Sequence, residues 1–239
     1  STVTESQSAP RNAESINLGL AGRVMLVTGG VRGEGAGISS VFAEQGATVV
    51  TCARRPVEGF PHEFHSCDVR DEGAVKALIE SIVERHGTLD VVVNNAGGSP
   101  YVLTAGSSPK FSRKIIELNL IGGLVVSQFA NDVMQAQSGG GSIVNICSLS
   151  GRRPSPGTAA YGAAKAGLES LTETLAVEWG PKVRVNACVV GMVETEQADL
   201  FYGDAESIAA ISKNVPLGRL AKPADIGWAA AFLACDAAS

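Results

Sequence analysis

Short apolar runs alternate with longer amphipathic stretches along most of this chain. The six apolar runs lie at residues 23–28, 48–52, 63–67, 91–93, 142–146 and 183–189. Helical patterns lie from the glycine-rich stretch 29–35 through Gln45, and at 71–86, 111–137 and 158–179. Strands that are apolar on both faces and alternate with helices predict a parallel sheet covered on each side. We therefore expect a doubly wound, Rossmann-type α/β fold with three layers.

The first predicted strand leads into a glycine-rich turn and then into a helix. Residues 28–35 of this turn read TGGVRGEG. Glycines let the backbone approach a phosphate closely, and the N–H groups at a helix N-terminus carry partial positive charge. Because doubly wound sheets bind nucleotides after the first strand, Gly29, Gly33 and Gly35 predict a dinucleotide site.

Composition and charge narrow the range of partners. The 239 residues carry a net charge of −5, with 19 Lys and Arg against 24 Asp and Glu, and no basic cluster, which argues against a nucleic-acid partner. No apolar run predicts a membrane span, and no spacing of His or Cys predicts a metal site. Five scattered cysteines favour free thiols in the cytoplasm.

Residues 1–18 are polar and predict a disordered tail before a single domain at 19–239.

Tyr161 and Lys165 are spaced by four residues in a predicted helix. This spacing places both side chains on one helical face. A nearby cation favours phenolate over phenol and lowers a tyrosine pKa from its usual value of about 10. The same spacing also occurs by chance in ordinary helices, so its interpretation as a proton-exchanging pair depends on the surrounding motifs.

Those motifs occur in a fixed order along the chain. They are TGxxxGxG at 28–35, Asp68-Val69 after the third strand, Asn94 to Gly97 after the fourth, Asn119, and Ser148 thirteen residues before Tyr161. In this order and spacing the chain resembles the short-chain dehydrogenase/reductases from about Leu20 to its end. These are single-domain enzymes that transfer hydride between a nicotinamide dinucleotide and an alcohol or carbonyl group. The resemblance also implies a homodimer or homotetramer.

The resemblance implies a catalytic role for four residues. Tyr161 would exchange a proton with the substrate oxygen, and Ser148 would hydrogen-bond that oxygen as charge develops on it. Lys165 would hold the tyrosine pKa down and bind the nicotinamide ribose. Asn119 would order a water chain that returns protons to Lys165.

The resemblance also implies further cofactor contacts. Asp68 and Val69 would border the adenine, Asn95 and Gly97 the adjacent ribose and backbone, and Thr195 the nicotinamide carboxamide. The end of the second strand, at residues 51–55, reads TCARR and has no acidic residue to bind the adenosine ribose. Arg54 and Arg32 would instead bind a 2′-phosphate, unless both are simply solvated. We therefore expect NADP(H), with NAD(H) as the alternative.

The substrate is predicted less sharply than the cofactor. The segments 99–103 and 196–211 are where this family builds its pocket and lid. Their apolar side chains either pack on the domain or predict a lipophilic carbonyl or alcohol, such as a steroid, an acyl thioester or an aromatic ketone. These side chains are Tyr101, Val102, Leu103, Leu200, Phe201 and Tyr202.

Three features depart from the family pattern. Glu34 stands where relatives usually carry an apolar residue near the nicotinamide, so we expect Glu34→Ile to bind dinucleotide more tightly. Val190 replaces a proline, which should loosen the following turn. The chain stops at Ser239, so we expect the family's final strand to be missing and the domain to be truncated. Glu34 and the missing strand keep a non-catalytic dinucleotide-binding regulator as an alternative.

Overall fold

A six-stranded parallel sheet lies between two layers of helices in the computed structural model, which describes residues 17–196, 198 and 203–239. The strand order across the sheet is β3-β2-β1-β4-β5-β6. This order confirms the predicted doubly wound fold. The described sheet has one strand fewer than is typical of the short-chain dehydrogenase/reductases, which the sequence resembles. The strands are β1 (Val24–Thr28), β2 (Thr48–Ala53), β3 (Glu63–Ser66), β4 (Val91–Asn94), β5 (Gly141–Ser148) and β6 (Val183–Val190).

The predicted long helix at 111–137 consists of two α-helices joined by a π-turn at Glu117–Ile121. Such turns occur mostly as single insertions within α-helices and often at functional sites. The described helices are α1 (Gly33–Glu44), α2 (Glu72–His86), α3 (Pro109–Ile116), α4 (Gly122–Ala136), α5 (Ala159–Trp179), α6 (Ala205–Ser212) and α7 (Pro223–Ala234). None of them has the length and hydropathy needed to cross a membrane.

Two apolar clusters fill the space above and below the sheet, because alternate strand residues point to opposite faces. In β1, Val24 and Leu26 pack against the cluster that includes α2, α4 and α5. Met25 and Val27 pack against the cluster that includes α1 and α7. The sheet is therefore buried on both faces, as its continuous apolar strands predict.

Helix α7 packs closely on α1 through small residues. A Cβ atom at Gly227 would lie 2.7 Å from a methyl group of Val41, and one at Gly37 would lie 2.3 Å from the side chain of Pro223. The apolar pattern did not predict α7, because alanines and glycines rather than large side chains fill most of its buried face. Its start does carry a sequence signal, with Pro223 in the first turn and Asp225 accepting from the Lys222 backbone.

The predicted disordered tail at 1–18 falls almost wholly outside the described residues. Its last residue, Leu18, is described, and it packs against the apolar cluster that includes α1 and α7. The backbone N–H of Leu18 also donates to the side chain of Gln45. The extent of the tail therefore stays a prediction.

Arg184 of β6 binds the C-terminal end of α7. Its guanidinium donates to the backbone carbonyls of Leu233 (2.9 Å), Ala234 (3.2 Å), Cys235 (3.0 Å) and Ala238 (3.3 Å). Carbonyls at a helix C-terminus lack partners within the helix and carry partial negative charge. Arg184 therefore satisfies four acceptors and fixes α7 to the edge of the sheet.

Replacing Arg184 with Met should lower the free energy of unfolding by about 2 kcal/mol, since hydrogen bonds to a charged group contribute about 1.5–3 kcal/mol. Urea denaturation measures this change. Lys182→Met is the matched control, because exposed Lys182 donates to a single carbonyl, that of Gln135. A loss in Arg184→Met no larger than that in the control would contradict the capping role.

Candidate active site

A cavity of about 320 Å³ opens at the carboxyl ends of β1, β4, β5 and β6. Doubly wound sheets bind their ligands at this edge. The glycine turn and the start of α1 form one part of the wall, and β5 with α5 forms another. The residues that line the cavity include Gly29, Arg32, Gly33, Glu34, Gly35, Asn95, Gly97, Ser148, Tyr161, Lys165, Thr195 and Glu196.

The glycine turn is held in a conformation that side chains would obstruct. Gly29 and Gly33 have φ angles of 63° and 50°, which favour glycine. A Cβ atom at Gly35 would lie 2.1 Å from the carbonyl oxygen of Gly29 and 2.6 Å from Nδ2 of Asn95. The turn therefore leaves its backbone open to the cavity.

The turn also presents a donor to an anionic group. The Gly33 N–H, at the start of α1, donates to the Glu196 carboxylate at 3.1 Å. This carboxylate is a chemical stand-in for a phosphate oxygen, since both are anionic acceptors. The contact shows that the turn offers an N–H donor to an anionic oxygen, and binding of a dinucleotide pyrophosphate there stays a prediction.

Asn95 ties the end of β4 to the glycine turn. Its Nδ2 atom donates to the carbonyls of Thr28 at 3.1 Å and Gly29 at 3.2 Å. The Thr28 hydroxyl accepts from the backbone N–H groups of Asn95 and Ala96, both at 3.0 Å. These bonds fix the spacing between the ends of β1 and β4, where the cavity opens.

Lys165 is buried, and its Nζ atom lies 5.7 Å from the centre of the Tyr161 ring. Nζ donates to the carbonyl of Ile146 at 2.7 Å, which fixes the ammonium beneath the cavity. Burial lowers the pKa of Lys165, while the charge of Glu34 opposes that shift. Burial also raises the pKa of the Cys147 thiol to about 12, so this thiol is neutral beside the ammonium.

Close packing of α5 against the end of β5 brings Tyr161 and Ser148 into one cavity. A Cβ atom at Gly162 would lie 2.6 Å from the Ser150 carbonyl oxygen, and one at Gly151 would lie 2.7 Å from the Ala166 nitrogen. The Ser148 hydroxyl accepts from the Ser150 N–H at 3.2 Å, so its hydrogen can point elsewhere.

Asn119 lies behind the cavity wall, in the π-turn. Its Oδ1 accepts from the Gly98 N–H at 2.8 Å, and its Nδ2 donates to the carbonyls of Gly98 and Ile115, both at 2.9 Å. A Cβ atom at Gly97 would lie 2.6 Å from Asn119 Oδ1 and 3.4 Å from Lys165 Nζ. Asn119 thus holds the loop after β4 next to the ammonium, and its predicted role toward water stays a prediction.

Three predicted cofactor residues do not line this cavity. Arg54 is exposed at the end of β2. Asp68 accepts from the Arg70 guanidinium at 2.9 and 2.6 Å, and these bonds hold the pKa of the Asp68 carboxyl below its usual value. Val69 is buried, and a Cβ atom at Gly122 would lie 2.8 Å from it. Their contacts with the adenosine half of a dinucleotide stay predictions.

Sequence reasoning missed two contacts that shape the site, that of Glu196 with Gly33 and that of Lys165 with the Ile146 carbonyl. Glu196 follows Thr195 directly, so its proximity to the glycine turn could have been inferred from the predicted position of Thr195. The Ile146 carbonyl, which accepts from Lys165, carries no side-chain signal. Of the predicted lid, Leu200, Phe201 and Tyr202 lie outside the described residues.

Comparison with known proteins agrees with this geometry. A family model described as enoyl-(acyl carrier protein) reductase matches residues 29–239. The 3-oxoacyl-(acyl-carrier-protein) reductase of Thermotoga maritima is 34% identical over 232 residues, which cover 92% of this chain and 93% of that protein. The chain belongs to the short-chain dehydrogenase/reductase family. As a member, it is an NAD(P)-dependent oxidoreductase that acts on alcohol or carbonyl groups.

Other relatives in the short-chain dehydrogenase/reductase family act on different substrates. The L-fucose dehydrogenase of Oryctolagus cuniculus is 37% identical over 231 residues, covering 91% of this chain and 80% of that protein. The ligand-free structure of Thermoplasma acidophilum aldohexose dehydrogenase superposes with a TM-score of 0.87 at 30% identity, covering 92% of this chain and 89% of that one. The family therefore determines the reaction class and leaves the substrate open.

Proposed function

We propose that the protein transfers hydride between NADP(H) and a lipophilic ketone or secondary alcohol. The observation that carries this proposal is an apolar cavity of about 710 Å³ that shares Gly191 with the cavity above the strand ends. Leu149, which follows Ser148, lines it. A substrate body held there would place its oxygen toward the hydroxyls of Ser148 and Tyr161. The wall also contains the apolar residues Met192, Ile211, Val215, Pro216, Leu217 and Ala221 and the polar residues Arg153, Asn214, Arg219 and Asp225.

The proton step follows from the positions of Tyr161 and Lys165. In the oxidation direction, the alcohol proton passes to the Tyr161 phenolate as the carbinol hydride leaves; in reduction, the phenol returns that proton to the new alkoxide. The ammonium of Lys165, 5.7 Å from the ring centre, favours the phenolate. Ser148 donates to the substrate oxygen and steadies the charge that develops on it.

Two groups of residues would bind the cofactor: the glycines of the turn at its pyrophosphate, and two arginines at its 2′-phosphate. The dinucleotide, when bound, supplies or accepts the hydride. Gly29, Gly33 and Gly35 would leave room for its pyrophosphate, and the Gly33 N–H, which contacts Glu196 in this structure, would donate to it. Arg32 and Arg54 are exposed and form no salt bridge with a described residue, so both are free to bind a 2′-phosphate.

Replacing Arg54 with Ala should weaken NADPH binding by roughly tenfold or more and leave NADH binding almost unchanged, because only NADPH carries the 2′-phosphate. Fluorescence titration of both cofactors measures the two dissociation constants. Arg55→Ala is the matched control, since Arg55 is the adjacent exposed arginine. Equal effects of the two substitutions, or equal effects on both cofactors, would refute the assignment of Arg54.

A substrate panel tests the proposed function as a whole. Nicotinamide absorbance should show turnover with aromatic ketones, steroid ketones or 3-oxoacyl thioesters in the presence of NADPH. Oxidation of fucose and aldohexoses should be slower, because most of the cavity wall is apolar and two of its polar residues, Arg219 and Asp225, bind each other. Faster turnover of the sugars would overturn the lipophilic assignment.

The cellular compartment and the oligomeric state of the protein stay predictions. The five free thiols fit the reducing cytoplasm, where we place the protein. Self-association as a homodimer or homotetramer is expected by analogy with the family.

A further inference from the structure

Glu34 brings a carboxylate into the wall of the catalytic cavity. It is the second residue of α1 and lines the same cavity as Ser148, Tyr161 and Lys165. Its carboxylate forms no salt bridge or side-chain hydrogen bond with a described residue. Burial raises the pKa of this carboxyl, and the Lys165 charge opposes the shift. A partly buried acid without a bound partner costs free energy, so its presence calls for a compensating role.

Glu34 lines the cavity that contains Tyr161 and Lys165, whereas Glu196 also lines a second cavity, beside Val57. The charge of Glu34 acts on Lys165 of α5 and on Cys188 of β6, where it helps burial to raise the pKa of the thiol. Of these two residues, Lys165 lies in the cavity wall that carries Tyr161 and Ser148, where the proposed hydride transfer would occur. Glu196, by contrast, contacts the Gly33 N–H at the phosphate-binding turn.

We propose that Glu34 selects the redox state of the bound dinucleotide and favours the oxidised form. This inference rests on the proposed function and adds which redox form of the dinucleotide the protein binds more tightly. The oxidised nicotinamide ring carries one positive charge that the reduced ring lacks, while the pyrophosphate charge is the same in both forms. A carboxylate near the ring therefore acts on the two forms differently, whereas its repulsion of the pyrophosphate weakens both equally.

Lys165 supplies the charge that the Glu34 carboxylate would balance. Its buried ammonium lies in the same cavity and would repel a cationic ring. The Glu34 carboxylate offsets that charge, so the cavity can hold the Lys165 ammonium and an oxidised ring together. Loss of the carboxylate should leave the ammonium unopposed and shift the preference toward the reduced form.

Isothermal titration with NADP⁺ and NADPH tests the inference without any turnover. The quantity to compare is the affinity for NADP⁺ divided by the affinity for NADPH. In Glu34→Gln, which keeps the shape of the side chain, this ratio should fall at least about fivefold relative to the parent. NADPH itself should bind more tightly, because repulsion of its phosphates is reduced.

Glu196→Gln is the matched control, because it removes the same charge at the phosphate-binding turn. Both forms should bind this variant more tightly, by about the same factor, and the ratio should stay at the parent value. Thermal unfolding of each variant verifies that it is folded before titration, and Glu34→Ile provides a second neutral variant. An unchanged ratio in both Glu34 variants, or an equal fall in Glu196→Gln, would overturn the inference.

The outcomes separate this inference from the proposed function. Binding of both cofactors with unaltered ratios would reject the role of Glu34 and leave NADP(H)-dependent oxidoreduction intact. Failure of the parent protein to bind either cofactor would overturn the proposed function, and the role of Glu34 with it. A selective fall of the ratio in the Glu34 variants supports both.

Discussion

Replacing Tyr161 with Phe should reduce turnover by about 10²- to 10⁴-fold, the range that general acid–base catalysis contributes. The phenyl ring keeps the volume and the contact with the Lys165 ammonium, which lies 5.7 Å from the ring centre. Only the proton-exchanging hydroxyl is lost. Dinucleotide affinity should therefore change by about twofold or less. Initial rates measured by nicotinamide absorbance, together with a cofactor titration, separate the two quantities.

Tyr101→Phe is the matched control for this substitution. The sequence pattern placed the Tyr101 ring in the predicted pocket segment, and phenylalanine keeps that ring. In the structure Tyr101 is 68% exposed and does not line the cavity that contains Tyr161. Loss of its hydroxyl should leave the rate close to that of the parent. If Tyr161→Phe retained the turnover of this control, Tyr161 could not be the proton donor, and the proposed mechanism would be wrong.

Replacing Gly35 with Ala should weaken dinucleotide binding by at least about 100-fold and destabilise the fold by about 3 kcal/mol or more. Helix propensity alone predicts the opposite, a gain of about 1 kcal/mol, since Gly35 lies within α1. The clash outweighs the gain in helix propensity, so the substitution should destabilise the fold. The new methyl group would lie 2.1 Å from the Gly29 carbonyl oxygen, a backbone atom that can move only if the turn moves.

Gly139→Ala controls for the general effect of adding a methyl group. A Cβ atom there would meet no atom within 4 Å. Urea denaturation and titration with NADPH should show parent-like values for this control. A Gly35→Ala variant with parent-like stability and affinity would contradict the proposed close packing between the glycine turn and α1.

Periodicity predicted the fold well where large apolar residues mark both faces of the sheet. The run at 142–146 identifies β5 but not its full extent, because Gly141 and Ser148 at its two ends give no apolar signal. In α7, buried alanines and glycines replace the usual stripe of large residues. The π-turn at Asn119 was also missed, since one extra residue in a helical turn changes no amino-acid pattern.

The site was predictable where a residue type is itself the signal. Glycines at fixed spacing, and the Ser148, Tyr161 and Lys165 side chains, come from motifs that can be read along the chain. The contact between Glu196 and Gly33 depends on how a segment after β6 folds back, and that path has no periodic signature. The bond from Lys165 to the Ile146 carbonyl depends on backbone positions, which residue identities alone do not predict.

The direct test of the central claim is transfer of deuterium from the cofactor to a substrate. NADPH carrying deuterium at both C4 positions is incubated with a lipophilic ketone that the protein turns over, and the alcohol is analysed by mass spectrometry. The account predicts one deuterium on the carbinol carbon with the parent protein and a strongly reduced yield of labelled alcohol with Tyr161→Phe. Alcohol without deuterium, or equal labelled yield from both proteins, would contradict it.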